Sequence, residues 1–185
     1  MSPRAGLNQT LIIDKALEIA NKEGIESVTI ASLARELNIK SPSLYNHVKN
    51  LGDIREAMAI QAIKQMEQHL RSSTISLENG EETIRAIGKA YVQFAKQHPG
   101  IYEALLSAPD PSSQNVMKAG EGIVTLIKEA LSPYPLTEVG MIHAVRGLRS
   151  LLHGLVDLHY RGGFNLDVDL EGSQEFMVET FIKGL

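Results

Sequence analysis

The chain has 185 residues and no cysteine. Disulfides, a thiol nucleophile, Fe–S clusters and cysteine-type zinc sites are thereby excluded, and the absence fits a reducing compartment. Aromatic residues are few, five Tyr and four Phe. No apolar run reaches the roughly 18 residues that a membrane span needs. The N-terminal MSPRAGLNQT has no apolar stretch of the kind a signal peptide carries, so the expectation is a cytoplasmic protein. Alternating apolar and polar runs between hairpin turns are missing, which argues against a sheet. An excess of positive charge is missing too: the net charge is −4. The global basic footprint of a nucleic-acid binder is therefore absent. The total hides an asymmetry, however. Residues 1–50 carry 6 Lys/Arg against 5 Asp/Glu, whereas residues 51–185 carry 12 against 17. A small, near-neutral N-terminal module on an acidic body is compatible with both figures.

What the chain does have is helical periodicity. Hydrophobic residues make up 43% and charged residues 22%, ordinary for a globular protein. Apolar positions recur at three- and four-residue spacing along most of the length. The pattern predicts an all-α protein of about nine helices, near 10–23, 30–37, 41–48, 51–73, 82–97, 99–107, 113–131, 138–161 and 173–183. Gly24 is expected to stop the first helix, Thr29 to cap the second, Asn50 with Asp53 to cap the fourth, and Thr137 to cap the eighth. A helix-turn-helix domain over 1–52 and a larger C-terminal domain over 53–185 follow from this reading.

The informative stretch is TIASLARELNIKSPSLYNHV at 29–48. Two short helices flank a tight turn. Ala34 sits where the helices cross and leaves them room to approach. Asn38 occupies the turn, where positive φ is needed and Asn is second only to Gly. Ile30, Leu33, Leu37, Ile39, Leu44 and Val48 supply a shared core. The first turn of the second helix, Lys40-Ser41-Pro42-Ser43, has no core duty. A short helix with a small polar tip fits a major groove about 12 Å wide. Spacing alone leaves two readings open, a DNA reader and an ordinary helix-packing unit.

Leu44-Tyr45, His47-Val48 and Lys49 tip the balance. With Thr29, Leu33-Ala34 and Asn38, they resemble the N-terminal domain of the tetracycline-repressor (TetR) family of bacterial transcription regulators, over about residues 10–60. The resemblance implies that Tyr45 places its hydroxyl on a backbone phosphate and that Thr29 touches phosphate while capping its helix. It implies that Ser41, Pro42 and Ser43 face bases, with Lys40 at base or phosphate and Lys49 in the same DNA-binding set. His47 is expected to pack or bond within the domain. The chain departs from the family pattern at Asn38, which replaces a turn Gly, and at Leu51, which stands where a phosphate-gripping Lys is usual. Binding would then lean on the helix N-terminus and on the N-terminal arm with Arg4. In the body, 151–158 followed by Gly162-Gly163 resembles a His-Gly helix motif of one subgroup of these regulators, and His98-Pro99 with Tyr102 resembles the start of that subgroup's sixth helix.

The family dimerises through its last two helices. Gly147, Leu148, Leu151, Gly154, Leu155, Leu158 and Phe181 are accordingly expected at a homodimer interface. The other reading of Gly147 and Gly154 is a close contact inside one protomer. Met58, Met66, Tyr91, Phe94, Tyr102 and Ile127 are expected either as simple core or as the lining of an apolar cavity for a small-molecule effector. No metal site and no cofactor are expected, since the histidines lack ligand spacing and no Gly-rich phosphate loop appears. Nor is there a nucleophile elbow, so no enzyme activity is expected. These readings together describe a homodimeric repressor on a pseudo-palindromic operator, released by a small apolar ligand. The rivals are a DNA-binding dimer without an effector, and a helical interaction module or enzyme that lost DNA binding.

Overall fold

The computed structural model describes residues 7–185. Among them are nine α-helices and no strand: α1 (Gln9–Glu23), α2 (Ile30–Glu36), α3 (Ser41–Leu44), α4 (Leu51–Thr74), α5 (Glu81–Gln97), α6 (Pro99–Leu106), α7 (Gln114–Ala130), α8 (Glu138–Tyr160) and α9 (Leu170–Lys183). The all-α expectation holds. A 3-10 turn, Ile25–Ser27, follows α1.

The boundaries follow from capping chemistry. Asn8 accepts from the Leu11 N–H at 2.9 Å and starts α1, and Gly24, at φ 85°, ends it. Asn50 accepts from the Asp53 N–H at 3.0 Å, so the expected cap of α4 is present, and Asp53 accepts from the N–H of the preceding residue, Lys49, at 3.0 Å. Thr137 caps α8 through the Gly140 N–H. Two ends differ from the sequence reading. The third helix was expected over 41–48 but stops at Leu44, and 45–47 continue as a hydrogen-bonded turn. Its N-cap, Lys40, offers no side-chain acceptor, and only Leu44 and Val48 anchor it. The last helix begins at Leu170 rather than 173, because Asp169 accepts from the Gly172 N–H at 2.6 Å and Leu170 is buried.

The chain forms two compact units. The first runs up to Lys64 and adds His98–Ala119; the second comprises Gln65–Gln97 and Gly120–Leu185. This division differs from a cut at residues 52/53: α6 and the first half of α4 go with the N-terminal helices. The first unit's core holds Ile12, Ala16, Leu17, Leu33, Leu44, Ile54, Met58 and Ala104. Within it α1 and α6 approach so closely that a methyl on Gly100 would run into the Ala20 carbonyl. Pro99, in the first turn of α6, gives up no needed donor there. In the second unit α5 packs against α8 and α9. Leu148, Leu152, Leu155 and Val178 are buried there, and Gly88 lets Val178 and Gln174 of α9 come up against the α5 backbone.

Candidate nucleic-acid interface

The site is built on the turn between α2 and α3. Thr29 Oγ1 accepts from the Ser32 N–H at 3.0 Å, and Ser32 Oγ accepts from the Thr29 N–H at 2.9 Å. Ser32 Oγ also donates to the Ser27 carbonyl at 2.7 Å, tying the helix start to the preceding turn. Two orphan donors are satisfied reciprocally, which is a capping box with Ser in the place of the usual Glu or Gln. The sequence reading found Thr29 but missed Ser32; the Thr-x-x-Ser spacing was the available signal.

α2 ends as its turn requires. Asn38 is the one non-glycine residue with positive φ among the described residues, at 52°. Around it the Ile39 N–H donates to the Ala34 carbonyl at 2.9 Å and the Asn38 N–H to the Arg35 carbonyl at 3.1 Å. These are the paired bonds of a Schellman motif, and they satisfy two of the last carbonyls of α2. The chain then reverses, and Leu44 and Val48 anchor α3 in the core, at 0% and 5% exposure.

With the inner side so anchored, the outer side is left to solvent. Thr29, Lys40, Pro42, Tyr45 and Lys49 are exposed, and Ser41 and Ser43 are half-buried. Tyr45 is 55% exposed, although its ring could bury a large apolar area. The seven residues read from the sequence thus lie in one connected segment with its apolar residues turned inward. Arg4 lies outside the described residues. His47, expected to pack within the domain, is instead exposed, because α3 has ended before it and residue 47 falls on the turn. A cleft of about 470 Å³ lies beside this turn, with Tyr45, His47, Lys49, Asp53 and Asn115 among its walls. Arg55 reaches Glu26, 29 positions away, at 3.4 Å, a contact that no local pattern signals.

The remaining sequence expectations fall inside the body. All six expected effector residues are buried, Met58 and Tyr102 in the first unit and Met66, Tyr91, Phe94 and Ile127 in the second. Met58 belongs to the packed core of the first unit. The residues expected at a dimer face differ in exposure. Leu148 and Leu155 are 0% and 1% exposed within a single chain, so they have no apolar area left to give a second copy. They pack inward where α8 meets α5 and α9. Gly147 faces the Phe181 ring of the same chain, and Gly154 faces open space. Leu151 and Phe181 are half-buried, and Leu158 is 48% exposed. Phe176, on the apolar side that periodicity gives α9, is 73% exposed, and so, at 61% and 44%, are Val139 and Ile142 of α8, which periodicity did not single out. No group of three His, Asp or Glu capable of holding a metal ion occurs among the described residues. None of their helices is long and apolar enough to cross a membrane.

These features define a helix-turn-helix regulator, and comparison with known proteins gives the family. Residues 12–58 match the family described as bacterial regulatory proteins, tetR family. Residues 84–181 match the tetracyclin repressor-like C-terminal domain. Across 100% of this chain and 96% of its own length, the HTH-type transcriptional regulator YobS of Bacillus subtilis (strain 168), itself uncharacterised, is 38% identical. A solved protein of unknown function from Rhodococcus sp. RHA1 superposes with a TM-score of 0.82 at 19% identity, covering 100% of this chain and 99% of its own. FadR from Bacillus subtilis, solved in complex with stearoyl-CoA, superposes at 0.73 with 13% identity over 95% and 98%. The chain belongs to the TetR family of bacterial transcriptional regulators. It is a DNA-binding regulator and not an enzyme.

Proposed function

We propose that the chain acts as a homodimeric repressor on a pseudo-palindromic operator, and that a small, mostly apolar ligand releases it. The observation that carries the DNA part is the outward tip of α3. Leu44 and Val48 are buried, while Lys40, Pro42, Tyr45 and Lys49 are exposed around a helix only one turn long. In this reading Tyr45 and Thr29 contact phosphate, Lys49 and Lys40 add charge, and Ser41, Pro42 and Ser43 meet base edges. Two such modules engage successive major grooves about 34–36 Å apart.

The effector part rests on the buried Met66, Tyr91, Phe94 and Ile127 of the second unit. Met adapts to irregular apolar shapes, and Tyr offers a hydroxyl to orient a guest. That FadR, of the same fold, holds stearoyl-CoA supports an apolar or amphipathic ligand. A coupling of about 1–3 kcal/mol between ligand and DNA is usual for such a switch.

The test begins with DNA flanking the chain's own gene. Wild-type protein is expected to protect a two-fold symmetric site there. Tyr45→Phe should weaken every site by a similar factor, about tenfold for one hydrogen bond to a charged group. Pro42→Ala and Ser43→Ala should change sequence preference. A Tyr45→Phe protein with altered preference and unchanged overall affinity would show the roles to be wrongly assigned.

A further inference from the structure

The second unit carries a ladder of charge across α5 and α9. Arg85 donates to both Glu179 oxygens and, at 2.7 Å, to Glu81. Further along, Lys96 meets Glu171 at 3.8 Å. As the α5 number rises the α9 number falls, so the helices run antiparallel. One turn from Arg85 lies Lys89, and one turn from Glu179 lies Glu175, which makes these two the middle rung. That rung is open: among the described residues neither Lys89 nor Glu175 forms an ion pair, and both line a cleft of about 370 Å³.

Beneath the open rung is a second feature. Gln174 is only 4% exposed as a residue, and it lines the same cleft. The amide is seated there because α5 has a glycine opposite: a methyl on Gly88 would stand 3.1 Å from Gln174 Nε2 and 2.9 Å from the Val178 methyl. Ala86 and Val178 line the cleft too. Beside the Arg85–Glu179 pair, the cleft therefore offers one cation and one anion without an ion pair, one amide that both donates and accepts, and the methyl of Ala86. A polyanion would face Glu175 and Glu179, and a polycation would face Lys89 and Arg85. A net-neutral ligand carrying both charges meets neither repulsion.

We propose that this open rung binds a small zwitterion of the α-amino-acid class. Its carboxylate accepts from Lys89 and its ammonium donates to Glu175. The Gln174 amide completes one of the two groups, and an apolar side chain lies against Ala86.

The experiment uses the full chain, with L-leucine as probe and two blocked forms as controls, N-acetyl-L-leucine without the ammonium and L-leucinamide without the carboxylate. The readout is the side-chain amide resonance of Gln174, assigned by its loss in Gln174→Met. L-leucine, added to about 20 mM so that even a millimolar Kd saturates, should shift this resonance saturably, and the blocked forms should not. Lys89→Gln and Glu175→Gln, both at exposed positions, should each weaken binding at least about tenfold, since each removes a charge-assisted bond. The double exchange Lys89→Glu with Glu175→Lys should restore it with the ligand reversed. The proposal fails if L-leucine, L-valine and L-alanine all leave the resonance unmoved. It fails equally if the blocked forms bind as well, or if neither single variant weakens binding.

Discussion

At the residue scale, single atoms decide how closely helices meet. Gly100 allows the start of α6 to lie on the α1 backbone, where its N–H donates to Asn21 Oδ1 at 3.3 Å. The obstacle to a side chain here is backbone, the Ala20 carbonyl, which cannot rotate aside. Gly100→Ala is therefore expected to destabilise the chain by about 2–4 kcal/mol, at the upper end for overpacking. Urea unfolding followed by circular dichroism measures it, and a midpoint within error of wild type would contradict the packing described. Asn38 is the opposite case. Its φ of 52° is a conformation Asn tolerates and a β-branched residue does not. The replacement of the family's turn glycine is therefore mild.

At the element scale, α2 is held by its cap more than by its length. Seven residues are too few to be stable alone. Thr29→Ala and Ser32→Ala should each lower stability by about 1 kcal/mol. Because both hydroxyls serve one reciprocal motif, the double variant should lose less than the sum of the singles. Strict additivity in a thermal-unfolding cycle would refute the coupling. The α5–α9 clasp makes a pH prediction. The Arg85 hydrogen bond holds the Glu179 carboxyl below its ordinary range, against the opposing effect of desolvation. A depressed folded-state pKa contributes stability above the unfolded value and loses it as pH falls through the folded one. The melting-temperature gap between wild type and Glu179→Gln should be present, though small, at neutral pH. It should close below about pH 4. A gap unchanged at low pH would mean that the side-chain charge is not its source.

At the scale of the whole molecule, the proposed homodimer needs a surface that a second copy would cover. Leu155, buried in the chain itself, is the wrong position to probe, because a charge there would disrupt folding first. Phe176 on α9 is 73% exposed and lines an apolar cleft of about 360 Å³ with Phe164 and Val168. Phe176→Glu is expected to leave the melting transition of the monomer intact, to shift sedimentation towards monomer, and to abolish binding to a two-half-site operator. A Phe176→Glu protein that sediments and binds as wild type would place the interface elsewhere.

Much of this was legible in the chain because it depends on neighbours in sequence. Helix periodicity, the caps at Thr29, Asn50 and Thr137, the stop at Gly24 and the left-handed turn at Asn38 are all set within five residues, and each was recovered. The exposed tip of α3 was legible for the same reason: Tyr45 and Lys49 stand out against the short apolar set of Leu44 and Val48. What depended on packing between distant segments was not legible. Apolar periodicity marked Leu148, Leu155 and Phe176 alike as parts of a face, yet Leu148 and Leu155 are buried within the chain and Phe176 is exposed. The meeting of Gly100 with Ala20, the partnering of Arg85 with Glu179, and the seating of Gln174 over Gly88 join residues about 80 or more positions apart. Periodicity reports that a helix has an apolar side, and only the tertiary structure decides which neighbour covers it, because burial depends on the whole surrounding chain.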